Sequence, residues 1–369
     1  MIKHLFVVLM VLTLACEKKP ESHDRNTKPL VCSTMLDDSD SYQTVFANTD
    51  KVDISSIANV VLYNNDLVFT QPYKGNIVLY NVKEQSFQQI GRVGRGPFEF
   101  QNAWLYNKEN MLYIYDYALA KITEYDLEKG AFIKEHSLDK VIPGLIIHAE
   151  NVNDTTFLYF NVERRDRTVS NDTFTDIIKY NPITRSEKTL LSFQNLGTLS
   201  YWDSSAKYDF VSSALMYSHT QVGELGGALV SVNTGELSFD YIGSEKENYV
   251  IDYNYAPKYE SHIQSMYDNI DAYDRNFPEK TKKMLRTAME LDGREFSAVF
   301  SNWISSKSHI LLSLFSDKNA YLLHPIDKKE SNQVVCTNDN FKPIAIGEEY
   351  IYWVVEREGY EYELIKTEI

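Results

Sequence analysis

The sequence predicts an all-β protein, a closed ring of six small antiparallel sheets with one helical insertion. Three observations predict it. A pair of short apolar runs recurs at an offset of 45 residues along the 369-residue chain. Tyr and Phe are plentiful, 26 and 18 residues, and both favour pleated, half-buried surfaces. Asn, Asp and Gly punctuate the runs as turn formers do. Repeats of this period are the size of a propeller blade, which is four short strands. The expected architecture is therefore a six-bladed β-propeller, whose closure hides the sheet edges that an open array would present.

The chain opens with one lysine, Lys3, before an apolar run of eleven residues, Leu5 to Ala15, and then Cys16. A charged start, a short apolar stretch and a small residue describe an export signal. A membrane-spanning helix would need roughly 20 residues. Leu12-Thr13-Leu14-Ala15-Cys16 resembles the lipobox of bacterial lipoproteins, with Thr13 where a larger aliphatic residue is usual. The resemblance implies that residues 1–15 are a signal peptide removed before Cys16, and that a diacylglyceryl group is added to the Cys16 thiol. Two or more acyl chains (palmitate, for instance) anchor stably where one is marginal. Residues 16–38 are then a lipidated tether and 39–369 the propeller. The tether, polar and carrying Pro20 and Pro29, reads as flexible.

Without Lys3 the mature chain has 36 basic and 52 acidic residues, a formal charge of −16. That balance argues against nucleic acid as a partner and against lying on an anionic lipid surface. Besides Cys16 the cysteines are Cys32 and Cys336. An oxidising compartment permits them to pair, and ring closure can bring the two ends together. Paired or free, both states stay open from sequence.

The first blade starts near Val60-Val61-Leu62. Asn65 to Phe69 and Asn76 to Val82 are its central runs, matched 45 residues on by Asn110 to Ile114 and Lys121 to Leu127. The third unit is Phe157 to Phe160 with Asp176 to Asn181. The fourth is read as Leu215-Met216-Tyr217 with Ala228 to Val232, the fifth as Ile310 to Leu314 with Ala320 to Leu323. The sixth is Tyr350 to Val354 with Tyr362 to Ile365. Residues around 42–55 are expected to lend a strand to the last blade. Within blade three, Glu163-Arg164-Arg165-Asp166-Arg167 reads as a solvated, mixed-charge loop. Between blades four and five, at about 256–293, the alternation stops. Ile263, Met266, Tyr267 and Ile270 fall at helical spacing, and Pro278-Glu279 looks like a second helix start.

Gly91-Arg92-Val93-Gly94-Arg95-Gly96-Pro97-Phe98-Glu99-Phe100 lies where blade one crosses to blade two. Gly91, Gly94, Arg95, Gly96, Pro97, Glu99 and Phe100 form a structural crossover on this reading, since such a run needs unusual backbone dihedrals. Arg92, Arg95 and Glu99 are candidates to face the channel mouth. A phosphate cradle would feed a helix N-terminus, whereas this run leads toward a strand. The run resembles the Gly-rich crossover of NHL-type propellers. More closely it resembles the six-bladed, TolB-like lipoproteins of Gram-negative bacteria, although later crossovers such as Asn195-Leu196-Gly197 are worn down. That resemblance implies fold and address, an outer-membrane lipoprotein of the cell envelope, and no defined chemistry.

No H-E-x-x-H, C-x-x-C or G-x-S-x-G is present, and the histidines are scattered without ligand spacing. No metal or cofactor is expected, and no catalytic residue is named. The favoured expectation is an anchored monomer whose propeller binds an unknown ligand or envelope protein. The alternative is a hydrolase or lyase acting on a glycan or peptide in the central channel. It requires acidic or histidine side chains from three or more blades to converge there.

Overall fold

The structure is a computed structural model. It describes residues 30–369 apart from 37–40, 50–51, 72–75, 154, 166–172, 196–197, 204–207, 214–219, 254, 256, 260–263, 265–282, 284–297, 317–318, 328–330, 338–340 and 358–360. At 165, 195, 198–203 and 208–213 it describes the backbone alone. The expected signal peptide and the expected tether to residue 29, with Cys16, lie outside the described residues.

The chain is a six-bladed β-propeller. Strands a to d run from the inside of each blade outward. Blade 1 is Ala58–Tyr63, Asp66–Gln71, Asn76–Asn81 and Ser86–Val93; blade 2 is Ala103–Lys108, Met111–Asp116, Lys121–Asp126 and Ala131–Ser137. Blade 3 is Gly144–Val152, Thr155–Arg165, Thr173–Asn181 and Ser186–Asn195; blade 4 is Thr220–Leu225, Ala228–Asn233, Ser238–Tyr241 and Tyr249–Val250. Blade 5 is Phe300–Ser305, His309–Leu314, Asn319–Pro325 and Gln333–Thr337, and blade 6 starts with Phe341–Ile346, Tyr350–Arg357 and Glu361–Glu368. The outer strand of blade 6 comes from the other end of the chain: Gln43–Ala47 pairs antiparallel with Glu361–Glu368 and closes the ring. A hairpin, Thr198–Asp203 with Tyr208–Ser213, stands between blades 3 and 4.

The core explains the runs. One apolar cluster fills each blade interface, six around the ring among the described residues. Successive residues of a strand point to opposite faces, so a central strand must feed two interfaces at once. In blade 1, Leu67 and Phe69 pack toward blade 6, while Val68 packs toward blade 2. That demand makes the b and c strands near-continuous apolar runs, as in any sheet covered on both faces. Each c strand of blades 1 to 3 ends in an Asx turn. Asn81 accepts the Glu84 N–H at 2.7 Å, Asp126 that of Lys129 at 2.9 Å, and Asn181 that of Thr184 at 3.0 Å.

Blade 4 corrects the sequence reading. Ala228–Asn233 is its b strand, hydrogen-bonded to Thr220–Leu225 inside it and to Ser238–Tyr241 outside. The unit was read one strand out of step, because an alternating hairpin carries no mark of its place in the blade. Leu215 to Tyr217 lie outside the described residues. So does nearly all of the expected helical insertion; Gln264 and Lys283, which are described, are helical.

The propeller also begins earlier than residue 39. Thr34–Met35 adds a fifth strand, parallel to Gln333–Thr337 of blade 5. Leu30 and Cys32 pack against the cluster between blades 4 and 5, and Leu36 is buried between blades 5 and 6. Apolar side chains in this stretch make it part of the blade rather than tether. Cys32 and Cys336 are joined by a disulfide, with Cα atoms 5.6 Å apart.

The Gly-rich crossover is a clamp at the outside of the ring. Glu99 and Phe100 pair in parallel with Arg92 and Val93. The Glu99 carboxylate accepts the Gly96 N–H at 2.8 Å and meets the Arg92 guanidinium at 2.7 Å. Those bonds, the Gly96 amide foremost, hold the carboxyl below its usual range. A Cβ on Gly94 would fall 1.9 Å from that carboxylate, and one on Gly91 2.6 Å from the Phe100 ring. The glycines are there for close approach. Phe98 stacks on Phe132 of the outer strand of blade 2 at 4.5 Å. Glu99 and Arg92 are committed to one another, and the run reaches toward the next blade's outer strand, so neither residue serves the channel mouth. Arg95 is exposed, and Pro97 lies in the same turn.

Candidate functional site

An inner strand presents an unpaired backbone edge to the channel, a liability that must be covered. Here side chains of one inner strand cap backbone groups of the next. Asn107 donates to the Leu62 carbonyl at 2.7 Å, and Lys108 donates to the carbonyl of Ala149. Asn59 accepts the Leu105 N–H. Gln221 donates to the Ser301 carbonyl at 2.8 Å, and Ser305 to the Glu224 carbonyl at 2.5 Å.

Between blades 4 and 5 this lacing leaves a pocket of about 470 Å³. Residues 220–224 of blade 4 line one wall and 301–305 of blade 5 the other, with Asn161, Glu163 and Thr175 of blade 3 completing it. The volume lies within the range of roughly 300–1,000 Å³ usual for small-molecule sites. The local sequence opens it. Gly223 has no side chain, and a Cβ there would fall 2.7 Å from the Trp303 indole, which therefore lies against the blade 4 backbone. Phe239 holds the same indole edge-on at 5.2 Å. Among the described residues the apolar cluster between blades 3 and 4 has four buried members, Tyr159, Ile177, Val222 and Leu229.

The longest connections lead into the two blades that wall this site. Inner strands all start at the same end of the channel, where d-to-a links arrive. The link into blade 4 is 196–219 and the link into blade 5 is 251–299, against 138–143 into blade 3 and 338–340 into blade 6. Long connections carry function more often than short ones.

Glu224 is the focus of the wall. Its Oε2 accepts the Tyr106 hydroxyl from blade 2 and lies 2.9 Å from His148 Nδ1 of blade 3. Burial alone would raise the carboxyl. The bonds from His148 and Tyr106, with the charges of His148 and Lys108, outweigh burial and hold it below the usual range. The Tyr106 phenol moves the other way, pushed far up by burial and by the adjacent carboxylate. Three blades thus meet on one ionised carboxylate, whose side chain is still 32 % exposed. Asn161 adds a second feature: its Oδ1 is buried against the pocket without a hydrogen-bond partner. Buried acceptors in that state call for a water or ligand donor.

None of these residues was singled out in the sequence for such a role. Glu163 had been read within a loop; it belongs to an eleven-residue b strand, Thr155–Arg165. Its neighbour Arg164 pairs with Asp176 at 2.8 Å. The crossover residues Gly91 to Phe100 and the Cys32–Cys336 bridge lie apart from the pocket lining. Among the described residues no cluster of His, Cys, Asp and Glu could hold a metal ion, and no helix is long and apolar enough to cross a membrane.

Residues 45–212 match the model of a family described as a 6-bladed beta-propeller. No curated protein matches the sequence. Among solved structures, one similar to this chain is described as a candidate exported protein of Bacteroides fragilis NCTC 9343, 13% identical. It covers 89% of this chain and 94% of its own, with a TM-score of 0.49. The oligogalacturonate lyase of Vibrio parahaemolyticus is 11% identical over 88% of this chain and 96% of its own, TM-score 0.44. The PQQ-bound aldose sugar dehydrogenase of Streptomyces coelicolor is 11% identical over 88% and 96%, TM-score 0.39.

Proposed function

We propose that this chain is an envelope lipoprotein, held to the outer membrane through lipid on Cys16, and that its propeller is a binding module whose ligand enters the pocket between blades 4 and 5. One observation carries the reading. The inner strands are laced side chain to backbone, and between blades 4 and 5 the lacing surrounds an open, polar cavity with an unpartnered acceptor in its wall. Pockets of that size with a few convergent polar groups are the default ligand sites of folded domains.

The anchor is tested by Cys16→Ser. The variant is expected to leave the membrane fraction for the soluble one; unchanged fractionation would reject the anchor. The pocket is tested by thermal shift against sugars, amines, amino acids and short peptides. A ligand at 100 times its Kd adds about 2.7 kcal/mol of stability. One class is expected to raise the melting temperature of the wild type, and of neither Trp303→Ala nor Asn161→Leu. A shift that survives both substitutions puts the ligand elsewhere.

A second reading, a hydrolase or lyase acting on a glycan or peptide, is favoured by the convergence of Tyr106, His148 and Glu224 from three blades. The same geometry ranks it second. A carboxylate held low by two donors is a weak base, and a phenol pushed far up is a poor proton donor near neutral pH, whereas efficient acid-base groups have pKa values near the working pH. Turnover lost in Glu224→Gln would reverse the ranking.

A further inference from the structure

The ionisable groups lining the pocket are Glu163 and Glu224; among the lining residues none is Lys, Arg or His. Both groups seen to bond the Glu224 carboxylate, the Tyr106 phenol and the His148 imidazole, use the same oxygen, Oε2. The side chain still keeps a third of its surface open, and it lines the cavity. The orphaned Asn161 Oδ1 is another acceptor. Trp303 also lines the cavity, and its indole is the ring that attracts cations most strongly. The wall is thus rich in acceptors and negative charge and carries one π surface. The chain around it has a formal charge of −15, a field that concentrates cations in a cleft lined by the same sign.

We infer that this pocket takes a cationic head, a guanidinium or primary ammonium group on a slender stem, seated against Glu224 and Trp303 with Asn161 and Glu163 accepting its remaining N–H groups. The inference rests on the reading of the channel pocket as a ligand site, and goes further by naming the chemistry of the ligand. A neutral polyol could satisfy Asn161 but would bring no charge to the open side of the Glu224 carboxylate, whose bonded partners both sit on Oε2. A cation supplies both. About 470 Å³ admits an arginine- or lysine-like side chain, an amino sugar or a small polyamine. The shared feature of these is the charge, and the probes below separate it from the stem.

The test is calorimetric titration of the full-length protein with matched pairs: arginine amide against citrulline amide, both acetylated on the α-amine so that the citrulline compound carries no cation, and glucosamine against glucose. Each pair differs in the charged group and little else. The charged member is expected to bind at least tenfold tighter, and to weaken as salt rises from 50 to 300 mM on the order expected for a partly screened ion pair. Glu224→Gln should reduce arginine amide affinity at least tenfold. If that variant melts well below the wild type, Glu163→Gln takes its place: Glu163 is exposed, its loss leaves the fold alone, and a reduction of about threefold or more is expected. Equal affinity within both pairs, or arginine amide binding that neither substitution weakens, overturns the inference. If glucose or another neutral probe binds in a Trp303-dependent way while arginine amide does not, the pocket reading survives and the charge assignment fails. If no probe binds, the charge assignment fails as well, and the pocket reading is left to the wider thermal-shift screen.

Discussion

Breaking the Cys32–Cys336 bridge is expected to cost about 2–5 kcal/mol and to lower the melting temperature by about 4 °C for each 3 kcal/mol lost, given the unfolding entropy of a chain this long. The cysteines are 304 residues apart, so the bridge closes almost the whole propeller into one loop of the unfolded chain. A cross-link acts largely on that ensemble, and a longer loop loses more freedom. The native contribution is local. The bridge fixes the strand Thr34–Met35 on the edge of blade 5, where Ser33 also exchanges bonds with Val334, N–H to carbonyl at 2.8 Å. Without it, residues 30–36 keep two strand positions, the Ser33 bonds to Val334, the Leu36 N–H bond to the Cys336 carbonyl, and the packing of Leu30 and Leu36. Calorimetry of the wild type with and without reductant, beside Cys32→Ala, measures the effect. Reduced wild type and variant should melt together, below the oxidised protein. Equal melting of the oxidised and reduced forms would mean that the bridge contributes nothing. A bridge of this kind also suits the oxidising compartment of the envelope location proposed above.

What could be read in the sequence follows the range of the interactions concerned. The b and c strands announce themselves because each must bury both faces, so Leu67 to Phe69 and Leu112 to Tyr115 are apolar without a gap, and the Asx turns after Asn81, Asp126 and Asn181 are local. The glycines of the crossover were legible for the same reason. Their partner contacts were not: the 1.9 Å conflict awaiting a Gly94 Cβ comes from Glu99, and only the fold brings that carboxylate round. Blade 4 was misread because its c and d strands are short, four and two residues, leaving too little alternation to fix the register. The pocket was illegible altogether. Tyr106 and Glu224 are 118 residues apart, and His148 and Glu224 are 76 apart. Each sits on an inner strand whose neighbours are set by ring closure, and no spacing rule in one dimension encodes that.

The crossover clamp offers the sharpest separation between a buried charge and its partner. Lys121 is 5% exposed, and its ammonium meets the Glu135 carboxylate at 2.7 Å, the Gly96 carbonyl at 3.3 Å and the face of Phe100 at 5.1 Å from the ring centre. Glu135 accepts in addition the N–H of Phe98 at 3.1 Å, a residue in the left-handed region at φ 57°, which a side chain adopts only when its surroundings hold it there. Glu135→Leu therefore strands a cation in the interface and an amide in the crossover, and is expected to cost about 3–5 kcal/mol, the range for breaking a buried pair from one side. Replacing both partners with apolar residues, Lys121→Met with Glu135→Leu, removes the stranded charge and leaves the Phe98 amide as the main loss, about 1–3 kcal/mol. The double variant should thus be more stable than the single one, although it lacks one more native group. Denaturant unfolding of the four proteins in the cycle reads this directly. A single substitution costing under about 1 kcal/mol, or a double variant no better than the sum of its parts, would mean that Lys121 finds water or another acceptor when Glu135 is gone, and that the clamp holds blades 1 and 2 by the Phe98 and Phe100 rings rather than by charge.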